Sequence, residues 1–351
     1  MPAKVVSFIN LKGGVGKSTL ALAIGEILAF GEEKGRDKRR SQILVLDTEE
    51  ISAFGEGMRQ KVLLIDIDAQ CNLSSALVPI QPRLEDLGKQ KRTTYDMFVS
   101  ALDGNMWDID NAIEKDCSNI AGNINLNAIV CNQNLGQLDE VILDRWKEGK
   151  NLSVDLRSVL GGHLDKVKNR YNWIIIDCPP SLSAFTSNAI LCSDYWIAPL
   201  VPETLSLYGI ALIQNRISDL KNRYGQQSVK IEFGGSILNK VDITRGDHTL
   251  QAKDVYNNPG RFRPFDTWIG NWKPLYIISD YNYPFLNVRD RYGNPSPWSN
   301  AEDKYGSDRK AVNKGDNKEK AFLQKKIGLG ARYRIWNVIQ KLTMEFKKRC
   351  H

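Results

Sequence analysis

An α/β fold, doubly wound around a mostly parallel sheet with helices on both faces, is predicted by three features of this sequence. Short apolar runs rich in Val, Ile and Leu recur along the chain, several of them end at an aspartate, and segments with helical periodicity lie between most of them. Continuous apolar runs are what strands buried on both faces of a parallel sheet require, and ligands then bind at the carboxyl ends of those strands.

The elements follow in order. Val5-Val6-Ser7-Phe8-Ile9 reads as a buried strand, and Leu20, Ala23, Ile24, Ile27 and Leu28 recur at helical spacing behind it. Residues 31–42 form a dense charge run with two glycines, a solvated excursion. Two runs then end at an aspartate, residues 43–47 at Asp47 and 62–66 at Asp66, one of them expected to belong to an insertion. Further strands are predicted at 124–130, 173–177, 195–200 and 231–238. From Gly246 to about Lys320 periodicity gives way to Asn, Asp, Gly, Pro and aromatic residues, before a helix over about 331–348 with Ile335, Val338, Ile339, Leu342 and Phe346 on one stripe. The expected organisation is a single domain over 1–351 with insertions at 31–60 and 246–320.

With 42% hydrophobic and 25% charged residues among 351, the chain has the composition of a folded globular protein. No apolar run approaches the roughly 18 residues that span a bilayer, and no signal-peptide pattern opens the sequence, so a cytoplasmic location is expected. Cys71, Cys117, Cys131, Cys178, Cys192 and Cys350 form no C-x-x-C pair, which speaks for reduced thiols and against a metal-carrier class. A net charge of +7 favours a polyanionic partner: nucleic acid, an anionic membrane face or nucleotide itself.

The chemistry concentrates in Asn10-Leu11-Lys12-Gly13-Gly14-Val15-Gly16-Lys17-Ser18-Thr19, which follows the first strand and opens a helix. Gly13, Gly14 and Gly16 let successive backbone N–H groups turn inward around phosphate oxygens beside the positive end of the helix. Lys17 supplies charge to the outer phosphates and Ser18 a hydroxyl for Mg²⁺, with Val15 and Thr19 completing the cradle. Where the general G-x-x-x-x-G-K-[ST] pattern has its first glycine, this chain has Leu11, and Lys12 follows.

The resulting K-G-G-x-G-K-[ST] resembles the ParA and MinD family of deviant Walker ATPases. The resemblance implies that Lys12 reaches across an ATP-bound homodimer to the partner's nucleotide, where it stabilises transition-state charge. It continues through residues 61–74, similar to a strand followed by D-x-D-P-Q-G-N, which favours 62–66 as the core strand and leaves Asp47 to the insertion. By that match Asp68 orients the attacking water and Asp66 is a helper near the metal, while Ala69 and Cys71 depart from the family's proline and glycine. Residues 173–181 look like the family's Walker B strand and the turn after it, which implies that Asp177 holds Mg²⁺ through water. Thr93 to Phe98 and Asn188 to Glu203 look like further landmarks, mostly structural.

Asn239, in Asn239-Lys240-Val241-Asp242, is placed by resemblance at the adenine edge, although these four residues also look like the N-K-x-D guanine box of GTPases. The resemblance covers about residues 4–30 and 61–243. It implies a ParA-like ATPase, using ATP and Mg²⁺, that binds DNA nonspecifically near the nucleoid and positions plasmid, chromosome or protein-organelle cargo through a ParB-like or other adaptor. Candidates for DNA contacts lie among the basic residues between Lys318 and Arg349, which read equally as solvated helix faces. The alternative is a MinD-like switch on a membrane surface, for which the amphipathic last helix is the discriminating feature.

Overall fold

The computed structural model describes residues 1–30, 59–79, 83–118, 125–149, 154–271 and 335–351. Six parallel strands make one sheet: β1 (Lys4–Phe8), β2 (Val62–Asp66), β3 (Leu126–Ile129), β4 (Trp173–Asp177), β5 (Tyr195–Leu200) and β6 (Glu232–Leu238), in the spatial order β3-β2-β4-β1-β5-β6. The doubly wound α/β expectation is met. Residues 62–66 occupy the strand next to β4, whereas the competing run at 43–47 lies outside the described residues.

Period-two alternation sends each apolar strand into two cores. On β2, Leu63 and Ile65 face one side and Val62 and Leu64 the other; on β4, Ile174 and Ile176 oppose Trp173 and Ile175. One face is covered by α1 (Lys17–Phe30), α2 (Asn72–Leu77) and the last helix; the other carries α3 (Thr94–Leu102), α5 (Ala184–Cys192) and α6 (Thr204–Tyr224). The helix α4 (Leu138–Lys147) is more peripheral, burying Leu138 alone.

Residues 246–271 are ordered against the sheet edge. Gly246–Asn257 form a helix, α7, and the chain then runs alongside β6, with the amides of Phe265 and Ile269 donating to the carbonyls of Ser236 and Leu238 at 2.8 Å each. Pairing there protects the exposed edge of β6. The stretch from 272 to 334, including Lys318, Lys320, Lys325, Lys326, Arg332 and Arg334, lies outside the described residues.

The last helix, α8 (Ile335–Arg349), uses its apolar stripe on the core. Val338, Ile339, Leu342 and Phe346 are buried, and the Phe346 ring lies 6.2 Å from that of Phe8 and 5.3 Å from that of Trp173. That face is not available to a lipid surface. Among the described residues no helix is long and apolar enough to cross a membrane.

Truncating Phe346 to Ala empties a site closed by two aromatic rings and is expected to cost about 3–5 kcal/mol. Trp146→Ala, at a position 73% exposed on α4, should change stability by less than about 0.5 kcal/mol, both read from denaturant midpoints.

Candidate nucleotide-binding site

The site forms where β1, β2 and β4 end side by side. Gly14 and Gly16 have φ of +73° and +92°, the left-handed region that side chains avoid. Gly16 has a second constraint, since a Cβ there would run into the amide nitrogen of Asn239. Gly13, Gly14, Gly16, Lys17, Ser18 and Thr19 line a cleft of about 360 Å³, with Asp68 and Asn239 on its other walls.

Three side chains from outside the motif tie the loop down. Asn10 donates to the Pro199 carbonyl at the end of β5 (2.6 Å) and accepts the Lys12 amide (2.9 Å). Asn239, itself anchored by its amide to the Leu200 carbonyl, donates to the carbonyl of Val15 at 2.8 Å. Lys240, held at a φ of +54°, donates from Nζ to the carbonyl of Gly14 at 2.7 Å. The Lys17 ammonium bonds back to the Asn10 carbonyl at 3.2 Å, capping the curl from inside.

Beneath the loop, parallel register sets Asp66 directly beside Asp177. The two buried carboxylates differ in their partners. Asp66 accepts the Ser74 amide (2.8 Å), the Ser74 hydroxyl (2.7 Å) and the Asp68 amide (3.0 Å), yet burial pushes it up to about 6. Asp177 has both oxygens buried with no hydrogen-bond partner. Burial, then the neighbouring Asp66 charge, drives it well above the usual carboxylate range, against the pull of Ser18 and Lys17. A bare pair of acceptor oxygens in the interior fits a hard cation with its water, so the donor set suits Mg²⁺.

Asp68 follows from the same strand end, 7% exposed on the cleft wall, with Oδ1 accepting the Gln70 amide at 3.0 Å. Cys71 then takes a φ of +53° where the family pattern has glycine, a left-handed conformation that costs roughly 1 kcal/mol or more for a side-chain-bearing residue. The chain at 93–98 proves to be a fastener. Thr93 and Asp96 form a capping box for α3, and the Thr94 hydroxyl donates to the Asp66 carbonyl at 2.9 Å.

Of the residues singled out from sequence, Gly13, Gly14, Gly16, Lys17, Ser18, Thr19, Asp68 and Asn239 converge on one cleft; Asp66 and Asp177 do not line it and stand paired at the adjacent ends of β2 and β4, with Ser18, Lys17 and Asp68 in the electrostatic surroundings of Asp177. Val15 presents its carbonyl to Asn239. Lys12 does not line the cleft; its ammonium pairs with Glu203. Asn10, Ser74 and Lys240 were given no role by pattern alone: Asn10 and Lys240 act on backbone carbonyls distant in sequence, and Ser74 acts on the Asp66 carboxylate across the turn that follows β2.

A pH dependence follows from Asp66. An aspartate ordinarily ionises near 3.8, so between about pH 4 and 6 the folded chain retains a proton that the unfolded chain has lost. The contribution of Asp66 to the stability of the nucleotide-free protein is therefore fullest below this window and is lost as pH rises through it. Asp66→Asn is expected to flatten that slope, read from denaturant midpoints at about pH 4.5 and about pH 6.5.

Comparison with known proteins agrees with this geometry. A family model described as an AAA domain matches residues 48–231, more than half of the chain. The chain is 27% identical over 256 residues to the chromosome partitioning protein ParA of Caulobacter vibrioides, covering 72% of this chain and 76% of that protein. It is 28% identical over 239 residues to the sporulation initiation inhibitor protein Soj of Bacillus subtilis, covering 68% and 73%. Among solved structures, a plasmid partition protein from Borrelia burgdorferi shares the fold at a TM-score of 0.53 and 23% identity, covering 80% of this chain and 96% of that one. The ATP complex of McdA from Cyanothece does so at 0.56 and 15%, covering 95% and 99%. The chain thus belongs to the AAA domain family whose model it matches, among its ParA-like ATPases.

Proposed function

We propose that this chain is a Mg²⁺-dependent ATPase that closes into a two-subunit sandwich around ATP, binds DNA nonspecifically while closed, and positions cargo through an adaptor that stimulates hydrolysis. The observation that carries the reading is the division of labour among the basic residues. Lys17 is buried inside the cleft beside the phosphate cradle, whereas Lys12, two residues after Asn10, stands outside it. A lysine on the rim of its own site is placed to serve another.

Within one subunit the geometry supports the following roles. The amides of residues 13–19 and the Lys17 ammonium bind the phosphates. Ser18 and Asp177 would hold Mg²⁺, with Asp66 aligned behind by Ser74; the ion would neutralise charge on the outer phosphates. Asp68, fixed by the Gln70 amide, orients the attacking water, and Lys12 of a second subunit completes the charge stabilisation at the transferred phosphoryl group. Asn239 and Lys240, on another wall of the cleft, would lie along the base.

Two further observations support a second subunit. Leu205, Tyr208 and Leu212 share one face of α6 and are 75%, 60% and 49% exposed; Leu250 on the adjacent α7 is 54% exposed. The Gln251 amide donates to the Thr204 hydroxyl at 3.0 Å, joining the two helices beside Glu203 and Lys12. This apolar rim has the character of a surface that is covered in the working state. For DNA, the net charge of +7 supplies the attraction, with Lys341, Lys347 and Lys348 on α8 among the candidates. The ATP complex of McdA and an ADP–magnesium complex of cobyrinic acid a,c-diamide synthase from Mycobacterium smegmatis, the latter at a TM-score of 0.50, place these ligands in related folds.

Gel filtration with ATP and Mg²⁺ tests the reading. Asp68→Ala should lose about a hundredfold or more in hydrolysis and run as a dimer, and Lys17→Ala should fail to bind nucleotide and run as a monomer. An Asp68→Ala protein that stays monomeric with saturating ATP would sink it. DNA affinity should fall linearly in log–log plots against salt, by about 0.9 for each phosphate neutralised. ATP-dependent pelleting with anionic liposomes in the absence of DNA binding would favour the membrane-surface alternative.

A further inference from the structure

Glu203 stands in the turn between β5 and α6, and its Oε2 pairs with the Lys12 ammonium; the two side chains are 35% and 27% exposed. Its other oxygen faces the start of α7, with His248 Nε2 at 3.5 Å and Arg245 at 4.0 Å. Arg245 is already engaged by Asp247 at 2.6 Å. His248 Nδ1 accepts the Asp242 amide at 3.3 Å, which assigns the ring proton to Nε2, and that buried nitrogen has no hydrogen-bond partner. The carboxylate is thus held by Lys12 on one side while an unused donor waits on the other. The Lys12 amide is fixed to Asn10 Oδ1, so any movement of its charge occurs along the side-chain stem rather than by loop rearrangement.

We propose that Glu203 is a positioning residue for Lys12. It holds the lysine against its own subunit in the nucleotide-free chain and releases it when a second subunit docks, with His248 Nε2–H taking its place on the carboxylate. The proposal rests on the two-subunit reading above and adds its regulation. An ion pair this accessible to water is weak, which suits a contact that must open each cycle. Two such pairs must open for every dimer formed, so the effect on the dimer equilibrium is the square of the effect on one subunit.

The test has two arms on full-length protein. In the first, nucleotide-free protein is treated with limiting acetic anhydride and acetylation is followed by mass spectrometry; Glu203→Gln should raise the Lys12 rate about threefold, with Lys4 as an internal reference. In the second, dimerisation with a non-hydrolysable ATP analogue and Mg²⁺ is measured by sedimentation. Glu203→Gln should tighten the dimer by about tenfold, and the same substitution in a Lys12→Ala background should change nothing. Thermal midpoints of the free proteins should coincide, since the position is partly exposed.

An unchanged Lys12 acetylation rate overturns the holding contact, whatever the dimer does. Tightening that persists without Lys12 overturns its role as the released group. A wild-type protein that does not dimerise with the analogue overturns the two-subunit reading and the release step with it, while the acetylation arm still reports on the contact.

Discussion

Two carboxylates placed side by side at the ends of adjacent parallel strands set the terms for the whole site. Register puts Asp66 and Asp177 next to each other in the interior, where neither charge is solvated. Ser74 and the Asp68 amide stabilise the Asp66 carboxylate, but burial outweighs them and raises its affinity for protons. Asp177 has no such help. A buried acceptor pair without donors is expensive in a resting protein, and the expense is removed by a bound cation more completely than by any side-chain rearrangement.

The phosphate loop above that pair is shaped as much by its surroundings as by its glycines. Asn10 fastens its start to β5, and Asn239 and Lys240 fasten its middle to the end of β6. The tight approach of Asn239 to Gly16 gives that glycine a steric reason in addition to its positive φ. These ties run between strand ends that are far apart in sequence and adjacent in the sheet. They preorganise the amides, so that little of the binding energy of phosphate is lost to ordering the loop.

Near the rim, the α6–α7 region brings the apolar side chains Leu205, Tyr208 and Leu250 beside the Lys12–Glu203 pair. Exposed apolar area favours association, and the ion pair opposes it slightly by giving the lysine a local partner. Residues 246–257, which contribute His248 and Leu250, lack helical periodicity in sequence because the helix is amphipathic only weakly, yet it sets His248 Nε2 3.5 Å from the Glu203 carboxylate.

The sequence alone determined the α/β architecture, since continuous Val- and Ile-rich runs can be buried on both faces only in a parallel sheet. It determined the phosphate cradle as well, because glycines at 13, 14 and 16 followed by Lys17 and Ser18 are local requirements of backbone geometry and charge. The aspartates at 66, 68 and 177 were legible as strand ends. Tertiary structure decided what register and distance control: that Asp66 is saturated and Asp177 bare, that Asn239 and Lys240 grip the loop, and that the apolar stripe of α8 packs on Phe8 and Trp173 rather than facing outward. It also decided that Lys12 rests on Glu203, 191 residues away. Local pattern specifies which groups a chain possesses; pairing between distant segments depends on how the strands are ordered, and no short window of sequence contains that order.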